Sequence, residues 1–281
     1  MMIDYVLIPL TLLALAVASY CDLKTREVPD WLNYGLIVAA LGTRVIFSFQ
    51  DNWWVLLSGI LGFLACFALA CIFYYTNQWG GGDSKLLMGL GAVIGITLPL
   101  GTDSLNLFYF FIATISLGAV YGLIWMIVLA LTHRKTFAQS FKDELNKYRH
   151  VHTALLVAAA VLLLTSIFLR FLWPISIFIL VVFYLLIFVS AVEQHSFTKK
   201  IPLGKLTEGD WLAEGITFAG RQILPKKTIT TGDLSLLRKL KERLKTVLIQ
   251  EGIPFVPSFL FAYILLLLLT KNIFPLIWLV V

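Results

Sequence analysis

The chain has 281 residues, 59% of them hydrophobic and only 14% charged, and its mean hydropathy is +0.89. Soluble domains are about 45–50% apolar and about 25% charged, so one compact core cannot bury this much apolar surface and a bilayer must act as the solvent. The net charge of +6 sits in a few loops beside apolar runs, which argues against a nucleic-acid partner and makes it a report on topology.

Eight apolar segments follow in chain order: 3–21, 31–49, 53–75, 86–100, 105–131, 152–170, 173–192 and 256 to about 276. The first lacks a basic leader and a small-residue cleavage site, so no cleavable secretory signal is expected. The fourth is short for a full crossing, and neighbouring helices would have to shield its Gly-rich start. The sixth and seventh are separated by a tight turn, as in a helical hairpin. Loops 22–30, 76–85, 132–150 and 193–255 hold every Lys and Arg except Arg44, Arg170 and Lys271. Those three lie near the outer ends of spans and can snorkel. The positive-inside rule then places the four basic loops in the cytoplasm and both termini outside. Trp31, Trp53, Trp54 and Trp173 fall at span ends, as interfacial aromatics do.

Segment 193–255 is the one sizeable polar region. Within it, Leu234, Leu237, Leu240, Leu244, Val247 and Leu248 predict an amphipathic helix over 234–248, lying on the inner leaflet and capped by Thr231 or Asp233. The expected fold is an all-α polytopic membrane protein of about eight transmembrane helices (six to eight), with a small cytoplasmic domain before the last helix. The expected domains are a catalytic transmembrane domain over 1–131, a basic loop and hairpin over 132–192, a cytoplasmic domain over 193–255 and a terminal helix over 256–281. Cys21, Cys66 and Cys71 are odd in number and form no CxxC pair, so neither a disulfide framework nor a zinc site is expected. The four histidines show no metal-ligand spacing, and no metal or cofactor is expected.

Two carboxylates stand at the cytoplasmic border. Asp22 follows the first span in Asp22-Leu-Lys-Thr-Arg-Glu-Val-Pro-Asp30-Trp31, and Asp83 precedes the fourth in Trp79-Gly-Gly-Gly-Asp-Ser-Lys85. A carboxylate at this depth is costly unless paired or hydrated. Two close together cannot both ionise easily, so they can share a proton. One then takes a proton from water while the other donates to a carbonyl oxygen, which is amide hydrolysis without a metal. Gly80, Gly81 and Gly82 would let a substrate backbone approach and let the loop adopt positive φ. Blander readings stand beside this one. Asp83 is an ordinary helix cap, Asp22 pairs with Lys24 or Arg26, and the glycines are a turn. Glu27 and Asp30 attract a basic substrate or balance Lys24 and Arg26. Asp210 closes a turn or touches substrate.

The first motif resembles the first signature of type IV prepilin peptidases and archaeal preflagellin peptidases. The second resembles their GxGD signature at Gly80, Gly82 and Asp83. Both occur in order, on one face, two spans apart. The resemblance covers residues 3 to about 131, with weaker likeness to the archaeal branch at 206–212 and 251–258. It implies a membrane aspartyl endopeptidase with Asp22 and Asp83 as catalytic aspartates, supported by the glycines, Lys85 and Lys24. The implied partners are prepilin-like or preflagellin-like precursors, whose short basic leaders would be cut at the cytoplasmic face of the cell membrane, together with membrane lipids. The bacterial branch's paired-cysteine insert is lacking, and the hairpin at 152–192 is extra to the smaller archaeal arrangement. The alternatives are an intramembrane aspartyl protease of the presenilin or signal-peptide-peptidase type, and a non-enzymatic transporter or scaffold.

Overall fold

The computed structural model describes residues 2–270, apart from 77, 100, 197, 208, 219–220, 226–227, 240–245 and 251. Lys271 and the end of the last expected span lie outside these residues, as do Leu240 and Leu244. The helices are α1 (Asp4–Thr25), α2 (Asp30–Ser48), α3 (Trp54–Tyr75), α4 (Gly81–Ile94), α5 (Asn106–Thr132), α6 (Arg134–Lys147), α7 (Arg149–Thr165), α8 (Leu172–Ser196), α9 (Thr231–Lys239) and α10 (Val256–Thr270). Five short strands lie between α8 and α10: β1 (Thr198–Pro202), β2 (Trp211–Leu212), β3 (Ile216–Phe218), β4 (Arg221–Leu224) and β5 (Thr246–Gln250). Each of the eight apolar segments contains a helix among the described residues, and the protein is a helical polytopic membrane protein. Among the described residues, five helices (α1, α2, α3, α5 and α8) are long and apolar enough to cross a bilayer. A sixth span is available if α6 and α7, bent by 77° at their junction, count as one.

The chain divides into two compact units. One comprises residues up to Gly122 together with those from Ile253 on, and the other runs from Leu123 to Gly252. In the first unit, α4 packs along α3 through glycines. A Cβ on Gly62 would lie 2.2 Å from the Gly91 carbonyl oxygen, and one on Gly91 would lie 2.4 Å from that of Gly62. Only a residue without a side chain lets the two backbones meet there. α4 stops at Gly95, whose φ of +74° suits glycine and whose N–H returns to the Gly91 carbonyl.

Arg44 does not snorkel. It is buried, at 7% exposure, and binds backbone at the end of α4 and the start of α3. Its Nε donates to Ala92 O (2.8 Å) and Nη2 to Val93 O (2.7 Å), while Nη1 donates to Val55 O (2.8 Å) and Ser58 Oγ (2.6 Å). Helix-end carbonyls in apolar surroundings are costly when unpaired, and that need draws the guanidinium inward.

In the second unit, α7 and α8 form the expected hairpin, tied by Ser176 Oγ to Ala159 O at 2.9 Å and by His152 Nε2 with Tyr184 Oη at 2.8 Å. The polar segment beyond α8 is a small α+β fold, with β1 and β2 both antiparallel to β5, and β3 paired with β4. Its core contains Leu203, Leu206, Leu212, Ile216, Leu224, Ile229, Leu237, Val247 and Ile249. The helix expected over 234–248 is therefore corrected. The described chain is helical only to Lys239, and Val247 and Ile249 bury alternate side chains from a strand. A Thr-Val-Leu-Ile run suits a pleated, half-buried surface. Leu237 faces this domain's own core. Of the two expected capping residues, Asp233 does accept a backbone N–H, but the cap residue itself is Thr230 and not Thr231. The Thr230 N–H donates to Asp233 Oδ2 (3.0 Å) and the Asp233 N–H to Thr230 Oγ1 (3.4 Å), a reciprocal box.

Replacing Arg44 with Met removes four hydrogen bonds and strands buried carbonyls. The expected loss is about 3 kcal/mol, read as a lower unfolding midpoint in detergent. Arg44→Lys should rescue little, because an ammonium lacks the planar fork that reaches both helices.

Candidate active site

Asp22 lies in the last turn of α1. A carboxylate there faces the negative end of the helix dipole, and this one is buried, at 6% exposure. Its partners come from far along the chain. Oδ2 accepts the N–H of Val256, the first residue of α10, at 2.9 Å, and the Phe255 N–H acts on the same carboxylate more weakly. The positive end of α10 thus meets the negative end of α1 at one carboxylate. The cation of Arg26 also attracts it. Arg26 itself holds φ 61° and ψ 21°, and its N–H caps α1 on the Asp22 carbonyl at 2.9 Å. Left-handed backbone in a non-glycine residue costs about 1–2 kcal/mol.

Asp83 is the third residue of α4, and Gly80 is the cap. Its carboxylate reaches back to the Gly80 backbone N–H, so it serves the helix start without being the cap residue. It is half-buried, yet loss of water around it, followed by the negative charge of Asp22, pushes its pKa up to about 7. The two aspartates are therefore within electrostatic reach of each other.

The glycine run works differently from expectation. None of Gly80, Gly81 and Gly82 has positive φ, and Gly81 and Gly82 already belong to α4. The close approach is to the protein itself. A Cβ on Gly82 would lie 3.3 Å from both Val28 Cβ and Val28 N. Asn33 Nδ2 donates to Gly82 O at 3.3 Å, and Asn33 is fully buried. Trp79, just before the run, stacks on Phe73 (centroids 4.5 Å apart) and touches Phe255 (5.3 Å) and Phe259 (5.5 Å). One aromatic cluster thus ties the Asp83 loop to the start of α10.

Lys85 pairs with Asp30 at 2.5 Å and lies 5.3 Å from the Tyr34 ring centroid. Asp30 holds the Lys85 ammonium above its ordinary range. Lys24 lies over the ring of Tyr20 at 5.7 Å, and Glu27 is exposed. Asp210 belongs to the second unit, where Oδ2 accepts the Thr207 N–H at 2.7 Å and its hydroxyl at 3.1 Å to close a turn. Sequence inspection missed Asn33, Trp79 and the Val256 N–H as neighbours of this site. Pro254 and Pro257 do mark a helix start, but nothing local says which carboxylate that start will meet.

Residues 10–123 match the model of the type IV leader peptidase family. The match takes in Asp22, the glycine run, Asp83 and Lys85, and stops before α10. Over 96 residues the chain is 40% identical to a preflagellin peptidase of Methanocaldococcus jannaschii, covering 32% of this chain and 40% of that one. It is 37% identical over 84 residues to a preflagellin peptidase of Methanococcus voltae, covering 30% and 36%. A longer similarity, 25% over 202 residues, is to the prepilin peptidase EppA of Methanothermobacter thermautotrophicus, covering 66% of this chain and 52% of that one. The chain thus spans between about a third and about half of these relatives. No solved structure matches it.

Asn33→Ala leaves the Gly82 carbonyl, next to Asp83, without its side-chain donor. We expect a cost of about 1–3 kcal/mol, measured by thermal unfolding. An unchanged midpoint would show that the bond does not hold the loop.

Proposed function

We propose that this protein is a membrane aspartyl endopeptidase that removes short basic leaders from prepilin-like or preflagellin-like precursors at the cytoplasmic face. The observation that carries the reading is the juxtaposition of Asp22 and Asp83, both from the family-matched region, with the charge of one felt at the other. The family match over residues 10–123 and the names of the relatives support the substrate class. The concentration of Lys and Arg in one set of loops supports the cytoplasmic side.

The chemistry follows from a shared proton. The substrate stays anchored by its own apolar helix, and its leader junction meets the dyad at the membrane surface. The ionised carboxylate removes a proton from water, whose oxygen bonds to the scissile carbonyl carbon. The protonated carboxylate gives its proton to the carbonyl oxygen. No covalent intermediate with the protein is needed.

Asp22→Asn and Asp83→Asn should each lower leader cleavage in membranes by at least about 100-fold. Full activity in either variant would remove the proposal. A pH dependence follows as well. Burial and the Asp22 charge favour the protonated form of Asp83, so the shared proton is held below about 7 and lost as pH rises through it. Cleavage should therefore fall on the alkaline side with a midpoint near that value, and a rate that keeps rising there would contradict a proton-sharing pair.

A further inference from the structure

We infer that Asp22 is the carboxylate that stays ionised, and is the general base, because the first residue of α10 donates its backbone N–H to it, while Asp83 keeps the proton and is the general acid. This assignment rests on the peptidase reading and deepens it.

The two carboxylates differ in what surrounds them. Asp22 Oδ2 accepts the Val256 N–H at 2.9 Å, with the Phe255 N–H beside it and the Arg26 cation attracting it. A backbone N–H can only donate, so it stabilises the anion and offers nothing to a protonated oxygen. Asp83 has one backbone donor, Gly80, and the charge that reaches it is the negative one of Asp22. Tyr121 on α5 also feels both Asp22 and Arg26. Lys85, on the helix of Asp83, is engaged by Asp30 of α2.

Helix dipoles point the other way at first sight. Asp83 stands at the favourable end of α4, and Asp22 at the unfavourable end of α1. At Asp22, however, the start of α10 opposes the end of α1, and a direct bond to a charged acceptor outweighs a dipole contribution several-fold. Burial disfavours charge on both carboxylates, but only Asp22 is compensated by the Val256 N–H bond and a nearby cation, whereas Asp83 meets the negative charge of Asp22, so the negative charge rests on Asp22.

The proton path then closes. Asp22 takes a proton from water as the water oxygen bonds to the carbonyl carbon, and Asp83 protonates the carbonyl oxygen. In the second half, Asp22 gives its proton to the leaving nitrogen as the C–N bond breaks. Asp83 recovers a proton from one hydroxyl of the diol. Both residues end as they began. Val256 is a positioning residue that acts through its backbone.

Two measurements test the assignment. The first is the infrared band of protonated carboxyl groups in the purified full-length protein at mildly acidic pH, below the value of about 7 to which Asp83 is pushed, taken as differences from wild type. The band contribution should vanish in Asp83→Asn and persist in Asp22→Asn, and the reverse pattern overturns the assignment. The second deletes the donor. Proline is tolerated at the first position of a helix, so Val256→Pro removes the N–H, while Val256→Ala truncates the side chain and keeps it. The acid limb of kcat/KM should move up by about one pH unit or more in Val256→Pro and stay in place in Val256→Ala, whatever either does to the rate. An unmoved limb in Val256→Pro, or an equal shift in both, refutes the role of α10. Should Val256→Pro not fold, the infrared comparison decides by itself. Because it needs no substrate, it also separates the two ideas: wild-type cleavage by either aspartate variant would end the peptidase reading, whichever residue holds the proton.

Discussion

A helix of 14 residues reaches about 21 Å, short of the roughly 30 Å of a bilayer's hydrocarbon core. α4 must therefore finish inside the protein, where its last carbonyls have no water to meet. Arg44 supplies the partners, and by holding Val55 and Ser58 as well it fixes the end of α4 against the start of α3. The glycine seam between Gly62 and Gly91 sets the spacing along the rest of the helix. With the far end and the side both fixed, the near end, with Asp83 on its first turn, has little freedom. The position of one carboxylate of the candidate dyad is thus set from the opposite end of its helix.

The other carboxylate is placed by a different rule. Asp22 is at the end of α1, where its own helix disfavours it, and its bond to Val256 spans 234 positions of sequence. Trp79 reinforces the same junction from the Asp83 side by packing on Phe255 and Phe259. Three stretches of chain, 22–33, 79–85 and 255–259, therefore meet at one place. The family match covers the first two of them and not the third.

Hydropathy made the helices legible, because a bilayer requires long apolar runs and little else looks like them. The two acidic motifs were legible as a constellation for a related reason: carboxylates at a membrane border need an explanation. Three features were not legible, each because a tertiary partner decides it. Arg44 reads equally well as a snorkelling residue until the carbonyls of Ala92 and Val93 are seen in front of it. Residues 234–248 have helical spacing throughout, yet Val247 and Ile249 pair with β1 and β2, and the β-branched side chains follow the sheet. Gly80–Gly82 suggests an unusual backbone conformation, whereas what that region demands is room beside Val28 and a carbonyl directed at Asn33.

The left-handed residue next to the dyad lies not in the glycine run but at Arg26. Glycine there would turn the chain out of α1 without strain, but it would also take away the cation that attracts Asp22. Arginine keeps the cation and accepts the strained turn. Conformational ease and local electrostatics thus make opposing demands on a single position, and stability alone would select a different residue from the one that the carboxylate needs.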